Sequence, residues 1–116
     1  MKKTVFMTLY SKRDVILVPF PFSDLSYTKK RPALVLAVIP EHDEIICMML
    51  TSSRLIDQRF DVPIINLDIA GLPKQTVARV SRLFTLDTSI INKSIGSLDI
   101  TEFDRIVDKM IKLIRL

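Results

Sequence analysis

"TKKRPALVLAVIPEHDEIICMMLTS", residues 28–52, sets two apolar runs on either side of a short polar cluster. Pro32–Ile39 and Ile45–Ser52 are each too short for a typical helix and apolar at successive positions, which suits strands buried on both faces. "PEHDE" between them is a turn, so the pair reads as an antiparallel hairpin. In such a pair the start of one strand lies beside the end of the other. Arg31, which opens the hairpin, therefore becomes a neighbour of Thr51 and Ser52, which close it. Pro32 biases Arg31 toward extended backbone and fixes the direction in which the guanidinium leaves the strand. Lys29 and Lys30 bring two more cations to the same point.

Working outward, "DVILVPFPF" (Asp14–Phe22) is another strand, ended by Pro19 and Pro21, which cannot donate to a central ladder. "SDLSYTKK" links it to the hairpin as a polar loop without glycine. Beyond the hairpin, "SRLIDQRF" is irregular, "DVPII" is a short edge strand because of its proline, and "DIAGLPKQ" must turn. Thr76–Phe84 alternates as a half-exposed strand, with Gln75, Val77, Arg79 and Ser81 on one face and Thr76, Ala78, Val80 and Arg82 on the other. The spacing of Phe103, Ile106, Val107, Met110, Ile111 and Ile114 predicts a helix over residues 99–115. Asp99 is its cap, Glu102 stands three positions later, and basic residues gather at its end. The expected fold is mostly β (α+β): a small barrel packed by a C-terminal helix, one domain over residues 1–116, led by an arm or extra edge strand at residues 1–12.

With 116 residues the chain is about one domain by length, and its formal net charge of +4 favours polyanionic or acidic partners. Cys47 is the only cysteine and His42 the only histidine, so no disulfide framework, thiolate metal site or usual catalytic triad can be assembled from one chain. Neither a phosphate-binding glycine loop nor zinc-ligand spacing occurs, and no metal or cofactor is expected. Every apolar run is interrupted before it can span a bilayer, which predicts a soluble protein with no membrane partner, and the single cysteine makes a reducing cytoplasm its natural setting. His42 reads as a solvated turn residue and Cys47 as a small core hydrophobe.

What remains is a planar cation beside a hydroxyl, Arg31 with Thr51, in basic surroundings that include Lys29, Lys30, Arg54 and Arg79. That combination suits a phosphodiester and the added negative charge of its transition state. The same residues also suit a soluble turn and an ordinary strand end, and periodicity alone does not separate the two.

The segments "RDVILVPFPFSDLSYTKKRPALVLAV", a following strand ending "LTSS", then "DVPI", "AGLPKQTVARVSRLFTLD" and "IINKSIGSL" resemble, in order and spacing, the MazF/PemK family of toxin endoribonucleases from type II toxin–antitoxin pairs. The resemblance implies an SH3-like β-barrel homodimer, related in fold to the CcdB toxins, that cuts single-stranded RNA without a metal. It also implies a cognate antitoxin with an acidic, partly disordered tail as inhibitor. The family's catalytic arginine falls on Arg31 and its strand-end hydroxyl on Thr51, with Ser52 beside it; Lys30, Asp24, Arg79 and Ser81 are secondary site residues. Attack by the RNA 2′-hydroxyl would leave a cyclic phosphate and a 5′-hydroxyl. The sequence departs from the pattern at Ser81, where some members carry an aspartate that a serine cannot replace as a base. It departs again at Arg13, where a glycine is usual. Two other readings stay open: a non-enzymatic toxin that binds gyrase, as CcdB does, and a binding module whose catalysis has decayed.

Overall fold

The computed structural model describes residues 9–20, 29–52 and 57–116. Six strands form one antiparallel sheet: β1 (Asp14–Phe20), β2 (Lys29–Ile39), β3 (Glu44–Thr51), β4 (Asp61–Pro63), β5 (Val77–Asp87) and β6 (Lys93–Ser97). Their order across the sheet is β4-β5-β3-β2-β1-β6. A one-turn helix, α1 (Leu67–Ala70), follows β4, and α2 (Ile100–Ile114) ends the chain.

The expected hairpin is β2–β3, paired from Ile39↔Glu44 to Ala33↔Met49 with a bulge between Val35 and Ala37. Asp43 closes its turn with φ of 54°, a left-handed conformation that aspartate tolerates better than most residues. Because side chains alternate across a strand, the doubly apolar runs feed two cores. One holds Val15, Leu34, Met48, Leu50, Ala78 and Val80 against Phe103 and Ile106 of α2. The other gathers Ile16, Val18, Ala33, Val35, Ile45 and Cys47 on the opposite face.

The mostly β fold with a C-terminal helix is as expected, but the barrel is not closed by hydrogen bonds: β4 and β6 are the sheet edges. Backbone packing joins them instead. Asn66 caps α1, whose C-terminal Gly71 has φ of +73°, and a Cβ on Gly71 would lie 1.9 Å from the Ile95 carbonyl oxygen in β6. A Cβ on Gly96 would lie 2.4 Å from the backbone of Ile69 and Ala70. These are the only two glycines in the chain, and both serve this one junction, where any side chain would hold α1 and β6 apart.

Several boundaries differ from the sequence reading. Strand β2 begins at Lys29, before Pro32, and β1 continues through Pro19, which pairs with Lys30. Strand β5 runs past Phe84 to Asp87, while β6 and α1 were not anticipated as elements. Asp99 caps α2, its carboxylate accepting from the Glu102 N–H at 2.8 Å. The Glu102 carboxylate does not return to that cap. It is buried and accepts from the Ile65 N–H, from the Asn66 N–H at 3.4 Å and from Arg105 at 3.2 Å, tying α2 to the start of α1. Arg13, at the position where the resemblance leads one to expect glycine, has φ of 82°. Its left-handed backbone, which costs a non-glycine residue about 1–2 kcal/mol, is held by a side-chain bond to the Leu98 carbonyl at 3.0 Å and backbone bonds to Val35 and Leu98. No described helix is long and apolar enough to cross a membrane.

Candidate active site

Carried two residues beyond Ala33↔Met49, the β2–β3 register sets Arg31 opposite Thr51. The two strand ends open onto a cavity of about 260 Å³. Lys30, Arg31, Thr51 and Ser52 all line it, so four of the expected site residues converge although the chain separates them into two strands. Its apolar wall comes from Leu17, Pro32, Leu50, Leu72 and Ile95, and its far side from Pro73, Lys74 and Thr76. Opposed residues share a face, so Arg31 and Thr51 stand on the Val18 side of the sheet, while Lys30 and Pro32 stand on the other. The cavity crosses the sheet end, where both sets contribute.

Thr51 is only 6% exposed, as befits a hydroxyl fixed by its strand, whereas Arg31 is half-buried and Lys30 exposed. Neither Arg31, Lys30 nor Lys74 makes an ion pair among the described residues. Three cations therefore face one small cavity whose described lining contains no carboxylate, a balance of charge that suits an anion. Sequence reading missed Lys74 and the Leu72–Pro73 turn. They arrive through the α1–β6 junction, and the only linear signal was a Gly-Leu-Pro turn with no stated destination. Thr76 is buried and its hydroxyl donates to the Lys74 carbonyl at 2.8 Å, fixing the backbone that carries this lysine.

Arg79 and Ser81 do not line this cavity. Asp61, directly across β4–β5 from Arg79, takes its guanidinium in two bonds of 2.9 and 3.0 Å. Asp61 is 4% exposed and also accepts from the Asp57 N–H at 2.9 Å. The bond from Arg79 holds the Asp61 carboxyl below the usual carboxylate range, and the same pairing pushes the Arg79 pKa up. Arg79 thus clasps the edge strand to the sheet. Ser81 is exposed on a separate groove with Asp57, Gln58, Arg59, Phe60 and Arg82. Asp24 lies outside the described residues. Burial raises the Cys47 thiol to about 12, which keeps it protonated in the core, and His42 is a surface residue 3.7 Å from Glu44.

A comparison with curated protein sequences returned no match. Among solved structures, the fold is similar to the Mycobacterium tuberculosis toxin MazF-mt6, with a TM-score of 0.72 and 17% identity over 90% of this chain and 98% of that one. It is also similar to a MazE–MazF structure from Deinococcus radiodurans, with a TM-score of 0.71 and 16% identity over 93% and 98% of the two chains. A third likeness is to an endoribonuclease in complex with its cognate antitoxin from a mycobacterial species, with a TM-score of 0.69 and 15% identity over 92% and 96%. At these identities the likeness speaks for the fold. Residues 11–114 match the family described as PemK-like, MazF-like toxin of type II toxin-antitoxin system, and the chain belongs to that family.

Proposed function

We propose that this chain is an endoribonuclease toxin that cuts single-stranded RNA, with Arg31 and Thr51 at the scissile phosphate. The observation that carries the reading is the Arg31 guanidinium: half-buried, without a carboxylate partner among the described residues, and sharing a cavity with Thr51. A structural arginine is normally paired, as Arg79 is with Asp61. An arginine left for an external anion suits binding instead.

In the proposed reaction the RNA 2′-oxygen bonds to the adjacent phosphorus as its proton leaves, and the bond from phosphorus to the 5′-oxygen breaks. The 5′-oxygen takes up a proton, giving a 2′,3′-cyclic phosphate and a 5′-hydroxyl. Charge on the non-bridging oxygens grows toward the transition state, where a fixed guanidinium and hydroxyl stabilise it more than they stabilise the ground state. Lys30 and Lys74 supply further positive charge at the cavity rim, and Ser52 adds a hydroxyl beside Thr51. This electrostatic arrangement works without a metal ion. The net charge of +4 also suits an acidic, partly disordered antitoxin segment that competes for the same cations, and a homodimer in the cytoplasm is part of the same reading.

Purified protein should cleave single-stranded RNA in EDTA, leaving cyclic phosphate ends. Arg31→Ala should lower kcat/KM at least 100-fold with an unchanged thermal midpoint, the scale on which removal of one oxyanion donor acts. Intact RNA with the parental protein, or full activity in Arg31→Ala, would reject the reading.

A further inference from the structure

The groove beyond β5 contains an arrangement that the fold does not require. Arg59 is exposed, with 78% of its side chain accessible, yet it is fixed on two sides. Its Nε and Nη2 donate to the two oxygens of Asp57 at 3.1 and 2.9 Å, and Asp57 also accepts the Arg59 backbone N–H at 3.0 Å. The guanidinium carbon lies 5.0 Å over the Phe60 ring. Exposed ion pairs contribute little to stability, and ordering a long side chain opposes folding. The pair therefore has little structural reason to be so fully specified. What it provides is a planar cation held edge-on by a carboxylate and backed by an aromatic ring, with its outer face open to solvent.

The surroundings say what that face would meet. Arg82 lines the same groove and makes no ion pair among the described residues, and Ser81 adds an exposed hydroxyl. The groove has a volume of about 740 Å³. It also lies on the Arg31 side of the sheet. Thr51 pairs with Val77, and Val77, Arg79 and Ser81 follow on one face of β5. Arg79 is thus about 7 Å along β5 from the residue that pairs with Thr51, at roughly 3.4 Å per residue. That spacing is on the scale of one nucleotide step, so a polymer with one phosphate at Arg31 and Thr51 would have its next units on the same side of the sheet as this groove.

We propose that the groove is a second RNA subsite, in which the guanidinium plane of Arg59 stacks on an unpaired nucleobase flanking the scissile phosphate and Arg82 meets the adjoining phosphate. Guanidinium planes stack on splayed bases of single-stranded RNA, and such stacks tolerate different bases because every base presents a π face. Arg59 is a positioning residue here, not a catalytic one. The inference rests on the endoribonuclease reading.

The test uses a short RNA oligonucleotide whose cleavage point by the parental protein has been mapped, and a series in which single flanking nucleotides are replaced by abasic ones. With the parental protein, one abasic position within two nucleotides of the cut should raise KM about tenfold, the loss expected for one stack, with kcat changed less than twofold. Arg59→Lys keeps the charge and loses the plane. It should show the raised KM on intact RNA, with no further increase on the abasic substrate. Equal KM values for Arg59→Lys and the parental protein, or an undiminished abasic effect in the variant, would overturn the subsite while leaving cleavage at Arg31 standing. Absence of any parental cleavage would overturn both. Weaker inhibition of Arg59→Lys by poly-glutamate, with RNA KM unchanged, would assign the groove to acidic polypeptides and overturn the RNA assignment.

Discussion

Gly96→Ala tests how the open sheet is held together. The added Cβ would stand 2.4 Å from the Ala70 carbonyl carbon and Ile69 oxygen and 2.5 Å from the Ala70 oxygen, where ordinary contact begins near 3.4 Å. About 1 Å of separation must therefore open between two backbones. Neither yields easily. The ladder to β1, with Gly96 opposite Val15, holds β6, while the Asn66 cap and the Glu102 carboxylate hold the start of α1. Overpacking costs about 1–3 kcal/mol, and backbone against backbone belongs at the upper end. Removing glycine's flexibility from the unfolded chain returns about 0.4–1 kcal/mol. The net loss of about 2 kcal/mol corresponds to a fall of roughly 8 °C in the thermal midpoint of a domain this size. Circular dichroism melts at one fixed protein concentration would read it, with Ser94→Ala, an exposed position on the same strand, as the control. The site should respond as well, because Ile95 touches Gly71 at the junction and lines the cavity, and Leu72, which follows Gly71, lines it too. RNA cleavage by Gly96→Ala should show a raised KM well below its melting temperature. A midpoint within about 2 °C of the parental protein would refute the idea that close backbone packing, and not hydrogen bonding, closes this sheet.

Two stability predictions follow from buried carboxylates. Asp61→Asn removes the carboxylate charge that holds the Arg79 guanidinium in two bonds and should cost about 3 kcal/mol by urea unfolding at pH 7, given the cost of breaking such a pair. The folded Asp61 pKa lies below its unfolded value near 4, so its contribution is complete above that value and lost as the pH falls through the lowered folded pKa. The variant should accordingly lack the part of the parental acid-induced stability loss that falls below about pH 4; identical acid limbs would contradict this. Glu102→Ala should cost about 1–2 kcal/mol, because the Ile65 and Asn66 N–H groups lose the buried carboxylate that accepts from them, and Glu102→Gln should retain part of it. Equal stabilities for the two variants would show that the carboxylate's charge, and not its role as acceptor, is what matters.

The elements legible in the sequence are those coded by neighbours along the chain. The β2–β3 hairpin followed from two apolar runs around a polar turn, and its antiparallel sense was enough to bring Arg31 beside Thr51. The Asp99 cap and the apolar stripe of α2 were equally local. Strand β6 was missed because "KSIGS" carries little apolar content; it is a strand through its ladder to β1 and its contact with α1. Lys74 was missed for the same reason, since its place at the cavity depends on where the Gly71 turn docks. The pairing of Arg79 with Asp61 is not legible along the chain, because a sequence shows a charge without its partner and Asp61 lies on a different strand.

By itself, the sequence determined the hairpin, the terminal helix and the placing of Arg31 across from Thr51 at a strand end, because pattern, turn chemistry and capping act over a few residues. Tertiary structure alone decided which cations have no ion pair among the described residues. Asp61 takes Arg79 and Asp57 fixes Arg59, whereas Arg31, Lys30 and Lys74 face a cavity with no described carboxylate. Charge neutralisation is a matter of a few ångströms in space, and separation along the chain does not specify that distance.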